Sequence, residues 1–148
     1  MKAKKNLYRL LSTLFCCVML VSLLPATAFA EGTTTIDVNN SAELSEAITR
    51  INDAPDNADK EYVINLTDDM ETGGFTVKSP CRVTILGNGH TLTVGRYGYI
   101  STERGAQLNL GSKDGNILNI CSGNEVSGDT PGLLYVKGTC NMYPGVTL

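Results

Sequence analysis

The sequence predicts an all-β protein built as a parallel β-helix, a solenoid of short strands, with an amphipathic helix that caps its N-terminal end. Three observations support this fold class. Short apolar strands separated by glycine-rich turns recur roughly every 20 to 33 residues after residue 61. Most of these strands alternate apolar and polar residues, as half-buried strands do. A single helical pattern precedes them, and 14 of the 15 glycines follow Thr72.

A helix is predicted from Ser41 to Asp53, after a short strand at residues 33–38. Asn40 provides N-cap chemistry, and Glu43 stands three residues later as the partner in a capping box. The apolar residues recur at the spacing of one helical face, and they are Leu44, Ala47, Ile48 and Ile51. That face needs a surface to cover, and the open first edge of a solenoid provides one.

Strands are predicted after the helix in pairs around polar turns. They span residues 61–66, 75–77, 83–86, 91–94, 107–110, 116–120, 140–143 and 146–148. A glycine- and acid-rich insertion at residues 122–132 lengthens the last interval. One such unit cannot bury its apolar face alone, whereas stacked units bury a continuous core.

The segment Val83–Val94, with the sequence V-T-I-L-G-N-G-H-T-L-T-V, resembles the coil consensus of pectate-lyase-like right-handed β-helices. Residues 41–66 resemble the N-terminal cap of that superfamily, with an L-x-x-A-I helix and a V-I-N-L strand. Gly105–Leu110 and Gly138–Met142 resemble further coils. The resemblance covers about residues 36–148. It implies a right-handed β-helix, a fold shared by bacterial adhesins, wall-anchored repeat proteins, polysaccharide lyases and glycosidases, and so it does not settle the activity.

An antiparallel β-sandwich is the alternative fold. Asn88 and Gly89 form a two-residue hairpin signal between two apolar strands. The N-terminal amphipathic helix and the recurrence of similar units favour the β-helix.

Residues 1–30 are predicted to be a secretory signal peptide, of a form that resembles Gram-positive bacterial leaders. Four basic residues precede an apolar run from Leu10 to Leu24, and Ala28-Phe29-Ala30 has the small-x-small form of a cleavage site. The run is shorter than the roughly 20 residues of a membrane-spanning helix. We therefore expect cleavage after Ala30, no stable transmembrane segment, and a secreted or cell-surface location.

The remaining chain is predicted to comprise a cap at residues 31–71 and β-helix coils at residues 72–148. The chain ends in an apolar and polar alternation, so we expect the coils to be incomplete at the C-terminus. The leader holds four of the 12 basic residues and none of the 15 acidic ones, so the net charge of −3 becomes −7 without it. No basic patch with interleaved aromatic residues is present, and nucleic-acid binding has no support.

Three cysteines follow the leader, at Cys81, Cys121 and Cys140. An odd number leaves at least one unpaired within this chain. Small buried apolar side chains are the favoured interpretation, with a disulfide as the alternative. Their spacing matches no metal motif.

Asp68, Asp69 and Glu71 form the one closely spaced acidic group that follows a strand. Carboxylate oxygens are the ligands that Ca²⁺ prefers, so this group is a candidate calcium site. The alternative, which we favour, is a solvated turn beside the cap. His90, the single histidine, lies in a turn and is expected to be a solvated polar residue.

Arg96, Tyr97 and Tyr99 form a small aromatic and basic group after a strand. Such a group is able to stack on a sugar ring, and it is the candidate ligand-binding group of this chain. The alternative, which we favour, is that the rings pack between coils at the edge of a sheet.

These observations lead us to expect an exported, non-catalytic surface segment that binds or adheres, with a glycan or a cell-surface ligand as its partner. One alternative is the N-terminal part of a polysaccharide lyase or glycosidase whose active site lies beyond residue 148. A truncated reading frame without independent function is the other alternative.

Overall fold

The structure is a computed structural model, and it describes residues 32–58, 60–123 and 133–148. The predicted signal peptide and most of the predicted insertion lie outside the described residues. Helix α1 spans Ser41–Asp53. The strands are β1 Thr34–Val38, β2 Glu61–Leu66, β3 Met70–Thr72, β4 Phe75–Val77, β5 Arg82–Leu86, β6 Thr91–Val94, β7 Ile100–Thr102, β8 Gln107–Leu110, β9 Leu118–Ser122, β10 Leu134–Val136, β11 Thr139–Met142 and β12 Val146–Thr147.

The strands form three parallel sheets, and the chain visits the sheets in rotation. The first sheet has the order β1-β2-β5-β8-β11, the second β3-β6-β9-β12 and the third β4-β7-β10. From β2 onwards, each triplet of consecutive strands, such as β5, β6 and β7, therefore gives one strand to each sheet. All strand pairs of the described residues are parallel, which confirms a β-rich fold with parallel sheets.

The alternative prediction of an antiparallel sandwich is wrong. Asn88 adopts the left-handed conformation expected of a tight turn, with φ of 52°. The strands that it joins, β5 and β6, nevertheless lie in different sheets. The side chain of Asn88 instead connects neighbouring turns, because Nδ2 donates to Leu66 O at 3.1 Å and Oδ1 accepts from Asn116 Nδ2 at 2.8 Å.

Three strands had no counterpart in the prediction, namely β3, β7 and β10. Each is three residues long and pairs only within the second or third sheet. A strand of this length gives only a weak alternating pattern, and of the three-residue strands only β4 was predicted, so the sequence indicated two strands per unit where the structure has three. The other predicted strands are present, with ends that differ by up to two residues.

Helix α1 matches its predicted bounds. Asn40 Oδ1 accepts the Glu43 N–H at 2.9 Å, as predicted. The reciprocal bond differs from a standard capping box, because Glu43 Oε2 accepts from the N–H of Asn39 and not from that of Asn40. Within the described residues, no helix combines the length and the apolar character needed to cross a membrane.

The core lies between the sheets and under the apolar face of α1. The register aligns the side chains of Ile64, Ile85, Leu110 and Met142 in one column across the first sheet. The first three are fully buried, whereas Met142 in the last strand is 48% exposed. Each buried side chain of this size contributes about 1.5–3 kcal/mol, so the column stabilises the register of all four strands.

Close contact between successive turns explains two of the glycines. A Cβ atom at Gly87 would lie 2.3 Å from the carbonyl oxygen of Ile117. A Cβ atom at Gly138 would lie 2.3 Å from the carbonyl oxygen of Glu103. These contacts are with backbone atoms, so no side-chain rotation relieves them. Only glycine lets the turns approach this closely.

The cysteines confirm the prediction of small buried side chains in part. All three are free thiols, and Cys81 is fully buried while Cys140 is half-buried. Cys121 is exposed, because it lies on β9 and faces away from the core residue Ile120.

Candidate ligand-binding surface

The predicted aromatic and basic group lies in the turn that connects β6 to β7. The Gly98 N–H donates to Gly95 O at 2.9 Å and closes this turn. Gly98 also packs against the preceding turn, where its Cβ would lie 2.5 Å from Gly73 O. Tyr97 stands at the tip with φ of 66°, a left-handed conformation that non-glycine residues seldom adopt. The turn therefore projects the Tyr97 ring outward, and 69% of the residue is exposed.

Further residues extend this group along the third sheet. The ring of Tyr135, on β10, meets the ring of Tyr99 edge to face at a centroid distance of 6.3 Å. The Lys137 Nζ lies 5.2 Å from the centroid of Tyr135, and the Arg96 guanidinium lies 5.1 Å from the centroid of Tyr97. We call Arg96, Tyr97, Tyr99, Tyr135 and Lys137 the tyrosine surface.

The favoured prediction was that the rings of Tyr97 and Tyr99 pack between coils. The Tyr99 ring does meet that of Tyr135 on the neighbouring strand, whereas the Tyr97 ring is exposed. Tyr99 is 41% exposed and Tyr135 is 53% exposed. Exposed aromatic rings grouped on one face are typical of binding surfaces and not of an ordinary solvated face. Each ring offers a rigid apolar face and a hydroxyl group, and the two cations donate hydrogen bonds.

Tyr135 and Lys137 had not been predicted as site residues. The register aligns Leu134 with Ile100 and Tyr135 with Ser101, which places Tyr135 diagonally across from Tyr99. The one sequence signal is the apolar residue that begins both segments, Ile100–Thr102 and Leu134–Val136. The insertion that separates them hides this match.

The predicted calcium ligands serve other contacts. Asp69 Oδ1 accepts the Thr91 N–H at 2.7 Å and lies 3.5 Å from His90 Nδ1, so this carboxylate joins two neighbouring turns. Asp68 Oδ1 accepts the N–H of Asp69 at 2.8 Å. Glu71 points towards the β6–β7 turn, where its Oε1 would lie 2.8 Å from a Cβ at Gly95. In the described parts of the chain, no three His, Cys, Asp or Glu side chains form a group able to hold a metal ion.

A groove of about 270 Å³ separates α1 from β4. Asn52 crosses this groove, because its Nδ2 donates to Thr76 O at 2.8 Å and its Oδ1 accepts the Lys78 N–H at 2.9 Å. These two backbone groups belong to the outer edge of the third sheet. Asn52 therefore bonds to β4 as the peptide group of a further strand would, and the groove is part of the cap.

The thiols of Cys81 and Cys140 are poor nucleophiles in the folded chain. Burial raises the pKa of each thiol above its ordinary value, so both stay protonated at neutral pH. Since the thiolate is the reactive form, neither cysteine is prepared for covalent catalysis.

Three comparisons with known proteins found no match for this chain. No family model matches it, no curated protein matches it, and no solved structure matches it.

Proposed function

We propose that this protein is an exported, non-catalytic binding protein and that its tyrosine surface contacts a glycan. The observation that carries this proposal is the exposure of three tyrosine rings, of which Tyr99 and Tyr135 meet edge to face while a cation lies over Tyr97 and another over Tyr135. Ring faces stack on the C–H faces of sugars, while the guanidinium and ammonium groups donate to hydroxyl or acidic groups of the same ligand.

The architecture that presents this surface is, in our proposal, a right-handed parallel β-helix of the pectate-lyase-like kind. The rotation of the chain through three parallel sheets supports this reading. Parallel strands of one sheet are joined by right-handed crossovers in about 98% of cases, which favours a right-handed path. The coil-like segment Val83–Val94 supports the same family.

The rings of the tyrosine surface lie on neighbouring turns of the chain, an arrangement that suits an extended ligand. Tyr97 and Tyr99 belong to one triplet of strands and Tyr135 to the next, so the rings span the spacing between paired strands, about 4.8 Å. A polymer that lies across the strands therefore meets successive rings. The predicted leader at residues 1–30 supports export to a place where such polymers occur.

A binding assay against immobilised cell-wall and host-surface glycans tests the proposal. We expect the double variant Tyr97→Ala/Tyr135→Ala to lose about tenfold or more in affinity, because exposed aromatic anchors carry most of the energy at binding surfaces. Ile117→Ala is the matched control, since Ile117 is 55% exposed and lies in the β8–β9 connection away from the tyrosine surface.

Two results would contradict the proposal. Equal affinity of the double variant and the Ile117→Ala control would show that the tyrosine surface is not the contact. Release of shortened or unsaturated sugars from pectin-type polymers with added calcium would show that the chain is catalytic.

A further inference from the structure

The turn between β5 and β6 contains Asn88-Gly89, the one place in the chain where an asparagine precedes a glycine. In a flexible peptide, the backbone nitrogen that follows an asparagine attacks the side-chain carbonyl carbon, Cγ. A glycine nitrogen approaches Cγ most easily, because glycine has no Cβ atom in the way and its backbone adopts many conformations. The sequence of this turn is therefore that of a spontaneous deamidation site.

The deamidation reaction consumes only water. Gly89 N forms a bond to Asn88 Cγ while the bond between Cγ and Nδ2 breaks, and the proton of the Gly89 N–H leaves with Nδ2 as ammonia. The chain then holds a cyclic imide, which water opens at either of its carbonyl carbons. One product is aspartate, and the other is isoaspartate, in which the backbone runs through Cγ and gains a methylene group.

The folded turn holds every group that this reaction has to move. The Gly89 N–H, whose nitrogen is the nucleophile, donates to Ile117 O at 2.9 Å. Asn88 Nδ2, the leaving group, donates to Leu66 O at 3.1 Å, and Asn88 Oδ1 accepts from Asn116 Nδ2 at 2.8 Å. The attack consumes the Gly89 N–H and expels Asn88 Nδ2, so it has to break the bonds that both donors make, and the folded chain resists it.

Hydrogen bonds, and not burial, protect this turn. Asn88 and Gly89 are both exposed, and a Cβ atom added at Gly89 would meet no atom within 4 Å apart from its chain neighbours. Asn116 holds Asn88 twice, because its Oδ1 accepts the Asn88 N–H at 3.0 Å while its Nδ2 donates to Asn88 Oδ1. Loss of the Asn116 side chain would therefore release Asn88 in a turn that water already reaches.

We propose that Asn88-Gly89 is a deamidation site that the Asn116 side chain keeps closed, so that the reaction marks chains in which these turns have separated. The products do not restore the turn. Aspartate has no N–H to donate to Leu66 O, and isoaspartate lengthens the connection between β5 and β6. Deamidation thus makes a reversible local opening permanent.

Peptide mass spectrometry after incubation at mildly alkaline pH tests the site, because deamidation raises the mass of the peptide that contains Asn88. We expect the folded chain to deamidate at Asn88 at least about tenfold more slowly than the same chain in urea. Asn116→Ala should deamidate faster than the folded parent by about fivefold or more, since both of its hydrogen bonds to Asn88 are lost. Asn119→Ala is the matched control, because Asn119 lies on β9 and, among the described residues, its side chain forms no hydrogen bond.

Asn88→Asp tests the consequence, since it has the side chain of the aspartate product. We expect its melting temperature to lie below that of the parent, because a carboxylate would face Leu66 O without a donor. Circular dichroism of each variant fixes an incubation temperature at which the chain is folded, so that faster deamidation of Asn116→Ala reports opening of the turn.

Equal rates at Asn88 in the folded parent and in urea would overturn the proposal that the fold protects this site. Equal rates in Asn116→Ala and Asn119→Ala would overturn the role of Asn116, and a melting temperature of Asn88→Asp equal to that of the parent would overturn the proposed consequence. A peptide that keeps its mass even in urea would overturn the site itself. None of these measurements involves a glycan, so their outcome is independent of the proposed function.

Discussion

Replacement of Asn52 with alanine tests how the first end of the sheets is capped. Asn52→Ala removes the two hydrogen bonds to Thr76 O and Lys78 N–H, both shorter than 3 Å. Each bond contributes about 0.5–1.5 kcal/mol, and the backbone groups left behind regain water only in part. We therefore expect the free energy of unfolding to fall by about 1–3 kcal/mol. For a chain of this size the melting temperature should fall by roughly 5–10 °C.

The assay combines thermal unfolding with hydrogen exchange at single amides. The N–H of Lys78 should lose protection in Asn52→Ala, whereas amides in the middle of β5 should keep it until the chain unfolds globally. Glu46→Ala is the control on the same helix, because Glu46 is exposed. Asn52→Asp should also destabilise the chain. A carboxylate still accepts the hydrogen bond from the Lys78 N–H, but it has no N–H to donate to Thr76 O.

Two results would refute the reasoning. One is a melting temperature of Asn52→Ala equal to that of Glu46→Ala. The other is unchanged protection of the Lys78 amide, which would mean that the N–H does not depend on Asn52.

Four further predictions concern the glycine turns, the cysteines and the predicted leader. Gly87→Ala should lower the free energy of unfolding by more than about 2 kcal/mol, because the added Cβ atom would clash with backbone atoms. Gly73→Ala should lower it by less than about 0.5 kcal/mol, because the space around Gly73 is open. Equal melting temperatures of the two variants would contradict this prediction. Cys121 should react with iodoacetamide in the folded chain and Cys81 only after unfolding. Burial raises the pKa of the Cys81 thiol, so the folded state holds this proton more tightly than the unfolded state does. The contribution of Cys81 to the free energy of unfolding should be fully present below the ordinary thiol pKa and should decline as the pH rises above that value. Thermal melting at a series of pH values measures this decline. The secreted form should begin at Glu31 by mass spectrometry, and an uncleaved N-terminus would contradict the leader prediction.

Local signals in the sequence were enough to predict α1 and the longer strands. The cap of Asn40, the spacing of Leu44 and Ile51, and the alternation in β2 all depend on neighbours within a few residues. The parallel arrangement of the strands followed from the recurrence of similar units. It did not depend on any single turn, and the hairpin signal of Asn88-Gly89 was misleading when read alone.

The features that escaped prediction depend on register between distant segments. Tyr135 joins the tyrosine surface only because β10 aligns with β7 across the insertion. Asn52 looks like a solvated residue at the end of a helix. The available signal was its position four residues after Ile48, which places it beside the apolar face of α1.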